Sequence, residues 1–266
     1  MPRILAHPRE SGTMTLLLAV PIATLLGLLV GSLANVVAYR LPRGEPLATP
    51  RSRCPRCEHP LRPRDTVPVL SWLRLRGRCR DCHEPISRRY PLVEAATGLL
   101  FAAVVVARRD DAADLLLGLV LVSFLVPLAL IDLATRLLPN RLTLPAAVAA
   151  VVVGSLMDPS GEVERLAAGA AAGGFFLLAA LAYPSGMGIG DVKLAAVLGL
   201  FLGREVSAAV LIALVAGVLV GVAIMRRVGV AEGRRTGVPF GPFLALGGVG
   251  ALLWGQELVT AYLDQF

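Results

Sequence analysis

Four stretches of this 266-residue chain, at 14–39, 166–190, 206–225 and 236–256, carry no charged side chain. Each reaches the roughly 17 to 25 apolar residues that a helix needs to cross the hydrocarbon core of a bilayer. In lipid every peptide group must bond within its own helix or inside a closed barrel. A barrel strand alternates apolar and polar positions over about ten residues, whereas these runs are apolar on every face. The expected fold is therefore an all-α polytopic membrane protein. Composition agrees: 56% of residues are hydrophobic, 17% are charged and mean hydropathy is +0.71, against about 25% charge in soluble domains. An ordinary water-soluble enzyme is excluded.

Apolar runs between charged or Pro/Gly breaks predict about eight transmembrane helices, at 14–39, 91–107, 113–133, 142–157, 165–183, 191–203, 205–225 and 239–261. The second is interrupted by Glu94, and the sixth, at about 20 Å, is short of a 30 Å core. Residues 1–13 are polar, so Met14 is an alternative start. The run that follows is too long for a signal-peptide core and lacks a clear small-residue cleavage site.

The net charge of +7 comes from 25 Arg and one Lys against 19 acids. Thirteen of these 26 bases lie between Arg40 and Arg89, the one long polar stretch. With that loop in the cytoplasm and eight spans, both termini are outside and 20 of the 26 bases fall inside, as the positive-inside rule requires. The charge thus reads as a topology signal, and no nucleic-acid partner is expected. The domain division is a first transmembrane helix (1–39), a cytoplasmic four-cysteine loop (40–90) and a transmembrane domain (91–266).

All four cysteines lie in that loop, as Cys54-Pro-Arg-Cys57 and Cys79-Arg-Asp-Cys82, with 21 residues between the pairs. Each pair can present two thiolates from one tight turn, and two such knuckles complete the tetrahedral four-sulfur site that Zn2+ favours. Disulfides or a redox pair are the competing reading, which a reducing cytoplasm and the absence of a βαβ pattern disfavour. His59 and His83 flank the cysteines and are substitute ligands. A closed four-thiolate site leaves no position for substrate, so the expected role of the metal is to fold a small zinc-binding loop domain.

Beyond residue 114 the expected cytoplasmic side holds three acids, Asp132, Asp191 and Glu232. Asp132 closes an apolar run and Asp191 follows Gly188-Ile189-Gly190. Ionisable groups at membrane depth are costly and mark functional sites, although interfacial contact with water is the plainer account of any one of them. Here the arginine-derived topology puts both aspartates at the same face. The short span after Tyr183–Gly190 also implies an irregular loop that dips inward, tolerated only beside protein or a wet cavity. Two carboxylates there can act as base and acid. Asp191, at a helix start, has dipole support as the anion and is the expected base; Asp132, inside a helix, is the expected protonated partner. Lys193, the one lysine, is either functional or a snorkelling cation.

Taken in order, the blocks resemble the type IV prepilin leader peptidases, membrane aspartyl proteases of the GxGD class. They are Gly31–Pro42, Ser52–Cys57, Pro68–Leu73, Arg76–Arg80, Pro85–Glu94, Asp132 with Leu137–Pro145, Gly188–Lys193 and Pro239–Phe243. The resemblance implies an enzyme of the bacterial cytoplasmic (inner) membrane, with catalytic Asp132 and Asp191. It would cut the basic leader from prepilins or type II secretion pseudopilins after a glycine, at the cytoplasmic face. It also implies methylation of the new N-terminal residue with S-adenosylmethionine, for which the residues show no binding pocket. The alternatives are an intramembrane aspartyl protease of other substrates, or a non-enzymatic zinc-stabilised scaffold or transporter.

Overall fold

A computed structural model describes residues 9–49, 52–184, 187–229 and 238–264. Glu232, Arg234 and Arg235, used in the topology argument, lie outside them, as do Arg3, Arg51 and the Ser185–Gly186 part of the segment expected to dip inward. Among the described residues are eight long α-helices and one short one: α1 (Arg9–Arg40), α2 (Leu70–Arg74), α3 (Arg89–Ala107), α4 (Ala112–Thr135), α5 (Asn140–Met157), α6 (Glu162–Ala182), α7 (Ile189–Leu202), α8 (Val206–Val228) and α9 (Gly241–Leu263). Every expected span corresponds to one of the eight. Seven stretches of the described residues are long and apolar enough to cross a membrane, because 189–228 forms one 40-residue stretch that holds both α7 and α8. The break between them falls at Gly203, whose φ of +54° is costly for any residue with a Cβ.

Apolar side chains cannot drive helices together in lipid, so close backbone approach through small residues has to do it. Three seams in the bundle show this. On α1, Gly27 and Gly31 lie one turn apart against α3; a Cβ at Gly27 would come within 2.8 Å of the Gly98 Cα, and one at Gly31 within 2.8 Å of the Glu94 Cα. On α6 and α7, Gly169, Gly173 and Gly199 bring the two backbones together at Ala168 and Ala196. On α8 and α9, Gly247 and Gly250 seat against Ala209 and Ile212. Leu121, Leu125 and Leu128 of α4, Leu194 and Leu198 of α7, Phe176 of α6 and Leu244 of α9 fill the centre and are fully buried.

Successive crossings put the loop domain, the end of α4 and the starts of α5, α7 and α9 at one end of the bundle. At the other end a buried ion network takes the charges that flank α3, α4 and α8. Arg108 is paired with Glu205 through both terminal nitrogens and reaches Asp114 at 3.3 Å, while its Nε donates to the Leu252 carbonyl at 2.8 Å. Nearby, Arg165 donates to Asp158 and Glu162 and locks the α5–α6 turn. The charge inside the second apolar run is structural as well: Glu94, buried on α3, accepts the Val69 N–H at 2.7 Å and so holds the loop domain on the bundle.

Candidate active site and metal centre

Helix α4 ends where Pro139 forbids continuation. Arg136 adopts a left-handed conformation, φ 56°, and returns its N–H to the Asp132 carbonyl at 2.8 Å. Asp132 therefore sits in the last full turn of α4, 4% exposed, and points into the bundle. Asp191 lies in the first turn of α7, which begins at Ile189, two residues earlier than the apolar run indicated, with Gly188 as its N-cap.

Two contacts pin that first turn to the α4–α5 connection. Lys193 Nζ donates to Asn140 Oδ1 at 2.8 Å, and a Cβ at Gly190 would lie 3.0 Å from the Leu138 Cβ. Helices α4 and α7 pack against one another, and Asp132 lies within electrostatic range of Asp191. The structure thus brings together the two aspartates that the arginine distribution put at one face.

The contrast expected between the two carboxylates does not hold. Asp132 is not without main-chain support, because its Oδ2 accepts the N–H of Gly241, the first residue of α9, at 3.0 Å. It too has a helix N-terminus pointed at it, so dipole support does not separate base from acid. Phe240 sets the aim of that N–H by packing on the fully buried Phe176, ring centroids 5.9 Å apart. Gly241 is a partner of Asp132 that side-chain reasoning passed over; the one trace in the sequence is its place in the Pro239–Phe243 block.

In the loop domain the four cysteines converge. Their sulfurs all lie within 4.8 Å of one another, with Cys54 to Cys82 at 3.7 Å and Cys57 to Cys79 at 4.0 Å. A disulfide bond is about 2.05 Å long, so these are four free thiols. A tetrahedral site with zinc–sulfur bonds of about 2.3 Å has sulfur–sulfur edges of about 3.8 Å, and the four thiols fit a metal ion of that kind. His59 and His83 are not in the cluster.

Each pair is built the same way. The Cys54 N–H donates to the His59 carbonyl and the Cys79 N–H to the Glu84 carbonyl, at 3.0 and 2.8 Å. Glu58 and His83, each just after the second cysteine of its pair, take left-handed φ values of 58° and 57°. Backbone N–H groups of Cys57 and Arg56 hold the Cys54 thiol down at about 7, while burial and the neighbouring sulfurs push the Cys57 and Cys82 thiols up. Asp65 is paired with Arg80, which holds its carboxyl below the ordinary value.

The bacterial peptidase A24 N-terminal domain matches residues 25–108, and the type IV leader peptidase family matches residues 119–224. A prepilin leader peptidase/N-methyltransferase of Burkholderia pseudomallei is 38% identical, over 94% of this chain and 92% of its own length. The chain belongs to the type IV leader peptidase family. Proteins of the same description from Aeromonas hydrophila and Myxococcus xanthus are 37% and 44% identical, covering 91% and 75% of this chain and 93% and 61% of their own lengths. No solved structure matches it. Within this leader peptidase family member, the first matched region holds the cysteine cluster and the Glu94 tether, and the second holds Asp132 and Asp191.

Proposed function

We propose that this protein removes the leader of prepilins or pseudopilins with Asp132 and Asp191 as its catalytic pair, and then methylates the new N-terminus. The observation that carries the reading is the convergence of α4, α7 and α9, which sets two carboxylates and one backbone donor at one end of the bundle. One carboxylate takes a proton from water as its oxygen bonds to the scissile carbonyl carbon. The other gives its proton to the carbonyl oxygen; the first then passes the proton it took from water to the departing nitrogen as the carbon–nitrogen bond breaks, and a hydroxyl of the diol returns a proton to the second carboxylate as the new carboxyl group forms. The Gly241 N–H keeps Asp132 directed into the site throughout.

The names of the relatives support peptidase and methyltransferase activities in one chain, and the apolar stretches together with the family support the bacterial inner membrane as its place. The arginine distribution supports a site that faces the cytoplasm, with both termini outside. Cys54, Cys57, Cys79 and Cys82 would hold Zn2+, which supplies a rigid cross-link to the loop domain and leaves no open coordination position for chemistry. S-adenosylmethionine would supply the methyl group, and no residue of this chain is assigned to it.

The test is cleavage of a prepilin in membranes by Asp132→Asn and Asp191→Asn at matched protein levels, alongside methylation of mature pilin with labelled S-adenosylmethionine. Each variant should lose at least about 100-fold in cleavage and retain methylation. A variant that keeps most of its cleavage would exclude the pair.

A further inference from the structure

Between the two cysteine pairs the chain makes a tight γ-turn, with Leu70 N–H to Pro68 carbonyl at 2.6 Å, and then enters α2. Val69 at its centre has φ 59° and ψ −51°, a strained state for a β-branched residue, which the Glu94 carboxylate stabilises by accepting its N–H. One side of α2 serves the loop domain: Trp72 packs on Gly77 and its indole N–H donates to the Ile86 carbonyl at 3.1 Å. The other side is unused. Leu70 and Leu73, one turn apart, are 65% and 58% exposed, and Val67 beside them is exposed too.

The depth of this segment follows from its tether. Glu94 lies in the second turn of α3 against Gly31 of α1, and Gly31 precedes Arg40, the end of that apolar helix, by nine residues, a rise of about 13 Å. The Glu94 side chain leans back toward the start of α3 and recovers only part of that rise. Val69 and Leu70 are therefore held below the level at which α1 leaves its apolar run. Exposed Arg74 and Arg76 follow directly, placed to reach phosphates once the leucines point into lipid.

We propose that Val67–Arg76 is an interfacial foot, with Val67, Leu70 and Leu73 seated among the acyl chains of one leaflet and Arg74 and Arg76 on anionic headgroups. The loop domain then rests on the bilayer at a fixed height instead of standing free in water. Lipid is the favoured occupant, since the tether to Glu94 sets the patch below the end of α1 and exposed Arg74 and Arg76 border it.

The full-length protein, reconstituted in phosphatidylethanolamine and phosphatidylglycerol vesicles, tests this with Leu70→Trp and, separately, Leu73→Trp, each in a Trp254→Phe background. The Trp254→Phe parent supplies the Trp72 baseline. Phospholipids brominated about 5–10 Å below the headgroups should quench most of the added emission, and aqueous iodide should quench little of it. Quenching by iodide with none by bromolipid would put the patch in water and overturn the proposal. Protection from both would also overturn it, by showing that protein covers this face.

Discussion

Gly241 donates its backbone N–H to Oδ2 of Asp132 at 3.0 Å and so joins the start of α9 to the end of α4 across 109 positions of chain. A Cβ at 241 would lie 2.6 Å from that oxygen. In Gly241→Ala the carboxylate must move while the fold can stay, and a misplacement of this size costs up to about 100-fold in rate. The expected result is a large fall in kcat for leader cleavage with little change in melting temperature. Full kcat would remove Gly241 from the site.

Metal content is the next test. Purified protein should carry about one Zn2+ per chain, because four thiols at tetrahedral spacing close one site. Cys54→Ser with Cys57→Ser should lose the metal and open the loop between Arg40 and Arg89 to protease, with α4 and α7 undisturbed. Elemental analysis and limited proteolysis read both effects. A metal-free preparation with an equally resistant loop would refute the structural role.

At the opposite end of the bundle, Glu205→Gln would leave the Arg108 guanidinium, 6% exposed, without its buried counter-charge. Breaking one side of such a pair costs about 3–5 kcal/mol, whereas replacing both members with apolar groups is close to neutral. Arg108→Met with Glu205→Leu should therefore recover most of what Glu205→Gln loses, as measured by thermal unfolding in detergent. Equal stability of the single variant and the parent would show that the pair is dispensable.

The α5–α6 turn should respond to acid. Ser160, Arg165 and the Gly161 N–H hold the Asp158 carboxyl down at about 2, below its ordinary 3.8. A folded-state value below the unfolded one means that the stabilisation is complete above about pH 4 and disappears as pH falls toward 2. Hydrogen exchange at the Gly161 amide should accelerate over that interval, after correction for intrinsic rates, and Asp158→Asn should abolish the dependence. The same acceleration in the variant would assign it to other groups.

Much of this arrangement was legible in the sequence, for reasons that differ between elements. Apolar length marks a lipid-crossing helix directly, so the run at 113–133 became α4 at Ala112–Thr135. Cys-x-x-Cys spacing marks a knuckle because one turn must offer two sulfurs. The aspartates stood out because charge is rare at membrane depth. A backbone donor has no such signature, and Gly241 therefore went unread. Glu94 looked like a flaw in its span because the partner it satisfies, the Val69 N–H, lies 25 positions away in a polar loop. The pairing of Arg108 with Glu205, 97 positions apart, depends on the glycine seams that bring α8 and α9 together, and periodicity carries no information about which helices meet.

The two cysteine turns are copies of one design at an offset of 25 positions: Arg53 bridges Pro60 as Arg78 bridges Pro85, and Leu61 bonds Ser52 as Ile86 bonds Gly77. Neither copy owns a complete ligand set. During synthesis the first turn must wait, with two uncommitted sulfurs, until the ribosome has released the second, and only then can one ion close both. Closure of one four-thiol site therefore has to follow emergence of both turns. A shortage of the ion would be felt there, as a biogenesis defect, before any loss of activity in the finished enzyme.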